Sequence, residues 1–210
     1  MTALARRLRR DRSGVALTEF AFLLPILVML STVGAEYVNF ITVRMRVSQA
    51  ALHVADGASR VGAGSILVAR RLTEADLNDI LIGAGMQAGT LNLYGRGRVI
   101  LSSLEPVDNP NTNGRFRISW QRCRGSKTYA SSYGVEGATN LTGIGPTGRQ
   151  VTALDNNATM FVEIAYDYAP LFWPRLAPSE VIIETASMTV RERRDLTQVY
   201  PSAGVTPSTC

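Results

Sequence analysis

Hydrophobic patterning divides the start of the chain into two kinds of helix. From Val15 to Ala35 nearly every position is apolar, and Glu19 is the only charge. At about 1.5 Å per residue a helix over this run spans roughly 31 Å, the thickness of a bilayer's hydrocarbon core. Pro25 lies inside it and is expected to kink the helix, a defect that membrane helices tolerate. Beyond Glu36, apolar residues recur at Tyr37, Phe40, Val43, Val47, Ala51, Val54 and Ala58. Asn39, Arg46, Gln49, His53, Asp56 and Arg60 fall mostly between them. Spacings of three and four make one apolar stripe. The helix is therefore expected to continue over 36–62 and to lay that stripe on a globular domain or on neighbouring helices. Gly62 and Gly64 mark its expected end.

A second helix is expected from Thr73 to Ile82. Thr73 can cap it, Glu74 and Asp76 suit its positive end, and Leu77, Ile80 and Leu81 form an inner face. After Gly83 and Gly85 the pattern turns to strands, beginning with a short one over Val99–Leu104. Phe116, Ile118 and Trp120 alternate with Arg117, Ser119 and Gln121, predicting a half-buried strand that ends at Cys123. Met160, Val162, Ile164, Tyr166 and Tyr168 share one face of a further strand, and Glu180–Val190 reads as the last one, with Ile182, Ala186, Met188 and Val190 on one side. Between them, Gly125–Asn157 is rich in Gly, Ser, Thr and Asn and reads as a long loop; Pro201–Cys210 reads as an irregular tail. The predicted fold class is α+β. A long N-terminal helix, transmembrane over 15–35 and amphipathic over 36–62, precedes a small antiparallel β-rich domain over 63–210.

The chain has 210 residues and a net charge of +5. Residues 1–14 hold Arg6, Arg7, Arg9, Arg10 and Arg12 against Asp11, so four of those five charges lie in a leader and one in the rest. That placement argues against a nucleic-acid-binding face. Arginines flanking one end of a hydrophobic segment hold that end in the cytoplasm, which puts the C-terminal bulk outside. Cys123 and Cys210 form no CxxC pair or Cys/His cluster, so zinc and thioredoxin chemistry are not indicated. In an exported domain of this size one Cys123–Cys210 disulfide is the natural reading, against two independent thiols. Closing so long a loop stabilises by about 4 kcal/mol in the chain-entropy picture.

Several patterns resemble sites without their context. Gly143–Gly148 reads GxGxxG, but no strand precedes it, no helical pattern follows, and Pro146 stiffens it. Asn109, Asn111 and Asn113 mimic part of a calcium loop, yet Trp120 stands where the bidentate Glu belongs. His53, the only histidine, falls on the polar side of the long helix. Glu163, Asp167 and Glu184 are expected to decorate strand faces, and Arg191–Asp195 to be a solvated strand end. Tyr166, Tyr168, Phe172 and Trp173 form an aromatic cluster that is either core or a partner patch. No metal site, cofactor site or catalytic constellation is read from the sequence.

The chemistry-bearing stretch is the basic leader followed by Gly14, Val15, Glu19, Phe20 and the apolar run. A carboxylate within a bilayer helix costs roughly 2.5–3.5 kcal/mol on insertion scales, so such residues usually mark function. With its glycine, a Glu at the fifth position after it and an aromatic at the sixth, the stretch resembles the processing site of type IV prepilins. It is closer still to that of the TadE-like pseudopilins of tight-adherence pilus systems. The long N-terminal helix, β-rich outer domain and C-terminal cysteine fit the same layout.

The resemblance implies a prepilin peptidase cutting after Gly14, leaving Val15 as a new, often N-methylated amino terminus. It implies that Glu19, with Phe20 beside it, attracts the amino terminus of an adjacent subunit. The chain would then be a substrate and not an enzyme. Its partners would be the peptidase, other pilin or pseudopilin subunits, the inner-membrane assembly platform and membrane lipid. It would sit single-pass in the inner membrane with the C-terminal domain periplasmic, or be incorporated into an extracellular pilus. Other readings stay open. Glu19 could be a plain helix-start acid, Val33-Gly34-Ala35 an ordinary signal-cleavage site, or the segment an uncleaved anchor for a periplasmic binding module or sensor.

Overall fold

The computed structural model describes residues 13–65, 68–172 and 174–210, so the leader arginines and Trp173 lie outside the described residues. One helix, α1, runs 48 residues from Ser13 to Arg60 and continues through Pro25. The expected continuity across Glu36 is observed. The chain forms two compact units, one comprising residues up to Ile41 with Ala169–Pro178, the other Thr42–Tyr168 with Ser179–Cys210.

In the second unit, the hairpin strands β1 (Ala63–Ser65) and β2 (Val68–Arg71) pair antiparallel, then come α2 (Glu74–Gln87) and a single turn, α3 (Leu93–Arg96). The principal sheet is β3 (Gly97–Pro106), β4 (Phe116–Arg124), β5 (Thr159–Asp167) and β6 (Val181–Thr189). It is antiparallel throughout, in the order β4-β3-β5-β6. The α+β class and all four principal strands agree with the sequence pattern.

Thr73 caps α2 through a reciprocal box with Asp76, each side chain bonding the other's backbone N–H. The helix ends five residues later than expected, at Gln87 and not Ile82, because neither Gly83 nor Gly85 stops it. Gly85 has a packing reason. A Cβ there would come within 2.4 Å of the Tyr94 ring, which lies against the helix while its hydroxyl donates to the Leu81 carbonyl.

Strand pairing sorts the sheet residues into two faces. Val99, Leu101, Met160, Val162, Ile164, Tyr166, Ile182 and Ala186 are buried on one. The outer half of α1 and α2 lie over this face. Arg194 donates to the carbonyls of Ala58 and Val61 at 2.8 and 2.7 Å and approaches the Met160 sulfur. Arg44 pairs with Glu184 at 2.6 Å. Val47, Ala50, Ala51, Val54, Ala55 and Ala58 are buried, and four alanines among six let the helix approach closely. The stripe is thus narrower than expected: Tyr37 is exposed, and Phe40 and Val43 are only half-buried.

The opposite face carries Leu104, Phe116, Ile118 and Phe161, and residues 125–157 cover it with Tyr133, Ala138, Leu141, Ile144, Val151 and Ala153. This loop is a layer of the domain. Gly125, at φ +128°, starts it where a Cβ would fall 2.1 Å from the Gly97 carbonyl oxygen. Backbone bonds from Phe116 and Ile118 to Leu141 and Ala138 cover the outer edge of β4. The expected half-buried strand is corrected here. A bulge at Ser119 breaks the alternation, and Gln121, Arg122 and Cys123 are all buried.

Glu163, expected to decorate a strand face, is 1% exposed. It accepts hydrogen bonds from the hydroxyls of Tyr129 and Ser131 at 2.5 and 2.8 Å and from the Ser132 N–H at 3.2 Å. Burial first, and the bond to Glu163 second, push the Tyr129 hydroxyl up to about 12. The Cys123–Cys210 disulfide closes 87 residues with its Cα atoms 4.9 Å apart. The tail is also held by the Cys123 N–H to the Ser208 carbonyl at 2.7 Å.

Because Glu163 gathers three donors from the loop onto the sheet, Glu163→Ala removes that anchor and leaves a cavity where the buried carboxylate was. It is expected to cost about 3 kcal/mol in urea unfolding. It should also expose the 125–157 layer to trypsin at Arg149 while the native protein resists.

Candidate functional site

Around Gly14 the chain is open: nothing lies within 4 Å of where its Cβ would be. Val15 and Phe20 are 53% and 54% exposed, and Glu19 is exposed on the first turns of α1. No described side chain pairs with Glu19. Gly14, Val15, Glu19 and Phe20 are thus brought together on one accessible helix start, as their spacing requires. The apolar run after them has no cover from its own chain. None of its membrane-length window is buried, and Phe22 is 80% exposed. One helix near the N-terminus is therefore long and apolar enough to span a membrane.

The two threonines in this part of α1 satisfy their hydroxyls on the helix itself. Thr18 donates to the Val15 carbonyl at 2.8 Å, and Thr32 to Val28 and Met29 at 3.0 and 2.9 Å. A polar side chain that closes on its own backbone carries no unmet donor into hydrocarbon.

At the far end of the run the structure places a carboxylate that the sequence reading left unassigned. Glu36 is 0% exposed, and its Oε2 accepts the N–H groups of Leu171 and Phe172 at 2.9 and 3.2 Å. The signal for it was present: counting back four from Phe40 along the stripe gives Glu36, not Tyr37. The proposed aromatic cluster is divided. Tyr166 and Tyr168 are buried in the sheet unit, whereas Phe172 is 47% exposed in the other unit.

The remaining buried ionisable groups are structural. Arg122 donates to Glu74 through Nε at 2.9 Å and through Nη2, and reaches Glu136 at 3.3 Å, linking α2 to β4 and to the loop layer. Its guanidinium is held above the ordinary arginine value, chiefly by the Glu74 hydrogen bond. Arg194, expected to be solvated, closes the end of α1 and is lowered to about 10 by burial. Asp195 is lowered to about 2 by hydrogen bonds from the side chains of Thr197 and Tyr200. Lys127 pairs with Asp167.

The look-alike motifs are turns. Ile144 and Val151 pair across the GxGxxG stretch, and Asn109 and Asn111 use their side-chain oxygens on the backbone of Asn156 and Arg115. His53 is exposed, beside Arg46, Gln49 and Gln87 in a shallow groove. Among the described residues no group of three or more His, Cys, Asp or Glu is arranged to hold a metal. No protein-family profile matches the chain, and no curated protein or solved structure does either.

Glu105 supplies a pH test of the domain. It is 2% exposed, and burial pushes its carboxyl up, opposed by hydrogen bonding to Ser103 and by Arg117 at 3.5 Å. A carboxyl raised in the folded state favours folding most below its unfolded value of about 4.3. That contribution is lost as pH rises through the folded value. Glu105→Gln is therefore expected to raise the urea midpoint at pH 7.5, and that gain should vanish by about pH 4.

Proposed function

We propose that this chain is a minor, pilin-like subunit of the TadE type, serving a tight-adherence pilus or a related secretion machine. The observation that carries the reading is an acidic residue, Glu19, on an apolar helix start that the chain leaves uncovered. The resemblance of residues 6–20 to a prepilin processing site supplies the family. A prepilin peptidase cuts after Gly14, where a side chain of one hydrogen lets the backbone enter a tight site. The cut removes the leader arginines and creates an ammonium group at Val15. Glu19 of one subunit then meets the ammonium group of its neighbour in a layer of low dielectric, where opposite charges attract far more strongly than in water. Phe20 packs beside that contact.

On this reading the protein does no chemistry. It is inserted in the inner membrane with residues 1–14 cytoplasmic and the β-rich domain periplasmic. It enters the assembly through α1, while the disulfide-closed domain faces outward. An uncleaved anchor would leave the position of Gly14 relative to Glu19 without a purpose.

Two outcomes test the proposal. Gly14→Leu should block processing, so the mass of the protein recovered from cells should retain the 1–14 leader; the native chain should begin at Val15. Glu19→Ala should leave insertion and cleavage intact but lower recovery in the sheared pilus fraction by tenfold or more. Normal incorporation of that variant would remove the pairing role.

A further inference from the structure

The segment Ala169–Pro178 is unlike the rest of the loops. Its sequence is proline and apolar residues with one charge, Arg175. It belongs to the same compact unit as the first part of α1. There, the backbone N–H groups of Leu171 and Phe172 are fixed on Glu36 at 2.9 and 3.2 Å. Loops over a protein surface are ordinarily polar because water must solvate them. This one holds Leu171 58% exposed and Phe172 47% exposed, next to each other.

The position of the clamp identifies the cover. Glu36 is the first residue after the apolar run Val15–Ala35, one helical step of about 1.5 Å beyond it. If that run spans the bilayer, Glu36 lies where hydrocarbon meets headgroups. A loop bonded to it by two main-chain groups is held at the same depth. Tyr37, adjacent on α1 and 50% exposed, is the type of residue found in the aromatic belts of membrane proteins. Arg175 is exposed and complements lipid phosphate. Glu36 would repel such a surface if displayed, but it is buried beneath the loop.

We propose that Ala169–Pro178 is a second membrane contact. Leu171 and Phe172 enter the headgroup–acyl boundary of the leaflet where the apolar run ends, Arg175 meets the phosphates, and Glu36 fixes the loop at that depth. The occupant is a lipid surface of anionic character. The inference rests on the reading of Val15–Ala35 as a membrane span and is independent of pilus assembly.

The test uses the full chain in bilayer nanodiscs of phosphatidylcholine and phosphatidylglycerol, with nitroxide labels at Leu171→Cys, Phe22→Cys and Leu154→Cys in separate samples. Cys123 and Cys210 stay oxidised. Collision with oxygen, enriched in lipid, is compared with collision with a water-soluble nickel chelate. Phe22→Cys should favour oxygen strongly and Leu154→Cys, 67% exposed in the native sheet unit, should favour nickel. Leu171→Cys is expected to show an oxygen-to-nickel ratio at least threefold that of Leu154→Cys, and Glu36→Ala should return it toward the Leu154 value.

A Leu171 label as nickel-accessible as the Leu154 label, with Phe22 in lipid, overturns the inference and leaves the span intact. A nickel-accessible Phe22 label overturns the span and this inference with it. Shielding of Leu171 from both reagents, with spin–spin broadening between labelled chains, would assign the loop to a second copy and overturn the lipid contact. An unchanged Leu171 ratio in Glu36→Ala would remove the clamp.

Discussion

An apolar surface as extensive as the first half of α1 has to be taken out of water, and its own chain does not do it. Leu17, Phe22, Leu23, Ile26, Leu27, Met29 and Leu30 are each more than half exposed. Fully burying one such side chain stabilises by about 1.5–3 kcal/mol, so the set represents on the order of 10 kcal/mol. That equals the whole stability of a typical domain, about 5–15 kcal/mol. The helix is long and apolar enough to span a membrane, and lipid would supply the cover that its own chain does not. In hydrocarbon an unpaired carboxylate at Glu19 would be costly. The second half of α1 obeys a different rule. Its alanines and valines are buried within the sheet unit, so one uninterrupted helix carries a bare apolar surface and then a covered one.

Buried carboxylates help to organise the sheet unit. Glu163 holds the 125–157 layer to the sheet, and Glu74 with Arg122 holds α2 to β4. A buried carboxylate is costly unless its oxygens are satisfied, and these two are met by several donors each. Replacing such a pair with apolar residues would be no great loss in stability. What the carboxylates add is position: Glu163 anchors the 125–157 layer beside its apolar contacts, and Glu74 anchors the start of α2 beside Leu77 and Leu81. This is how a loop rich in Gly, Ser, Thr and Asn forms an ordered layer.

Much of the architecture was legible in the sequence. Alternating apolar positions located the four principal strands, and α1 shows an unbroken apolar run that gives way to spacings of three and four. The placement of the polar residues was not legible. The burial of Glu163 and Arg122 is not visible in a linear pattern because their partners, Ser131 and Glu74, lie 32 and 48 positions away. The Ser119 bulge inverts the faces of β4 without any glycine or proline to announce it. The candidate processing site is the opposite case. Gly14, Val15, Glu19 and Phe20 are neighbours in sequence, so their spacing on a helix was available at once.

Glu19 lies near the start of the apolar run and Glu36 just beyond its end, and the two are treated in opposite ways. Glu36 is enclosed by its own chain, with two backbone N–H groups on one oxygen. Its solvation has been replaced within the fold, and it can sit beside hydrocarbon without a partner molecule. Glu19 is exposed, and no described side chain meets it. The same residue type thus occurs twice on α1, once met by backbone N–H groups of its own chain and once exposed. If the run lies in a bilayer, only the second is left with an electrostatic reason to recruit a cation.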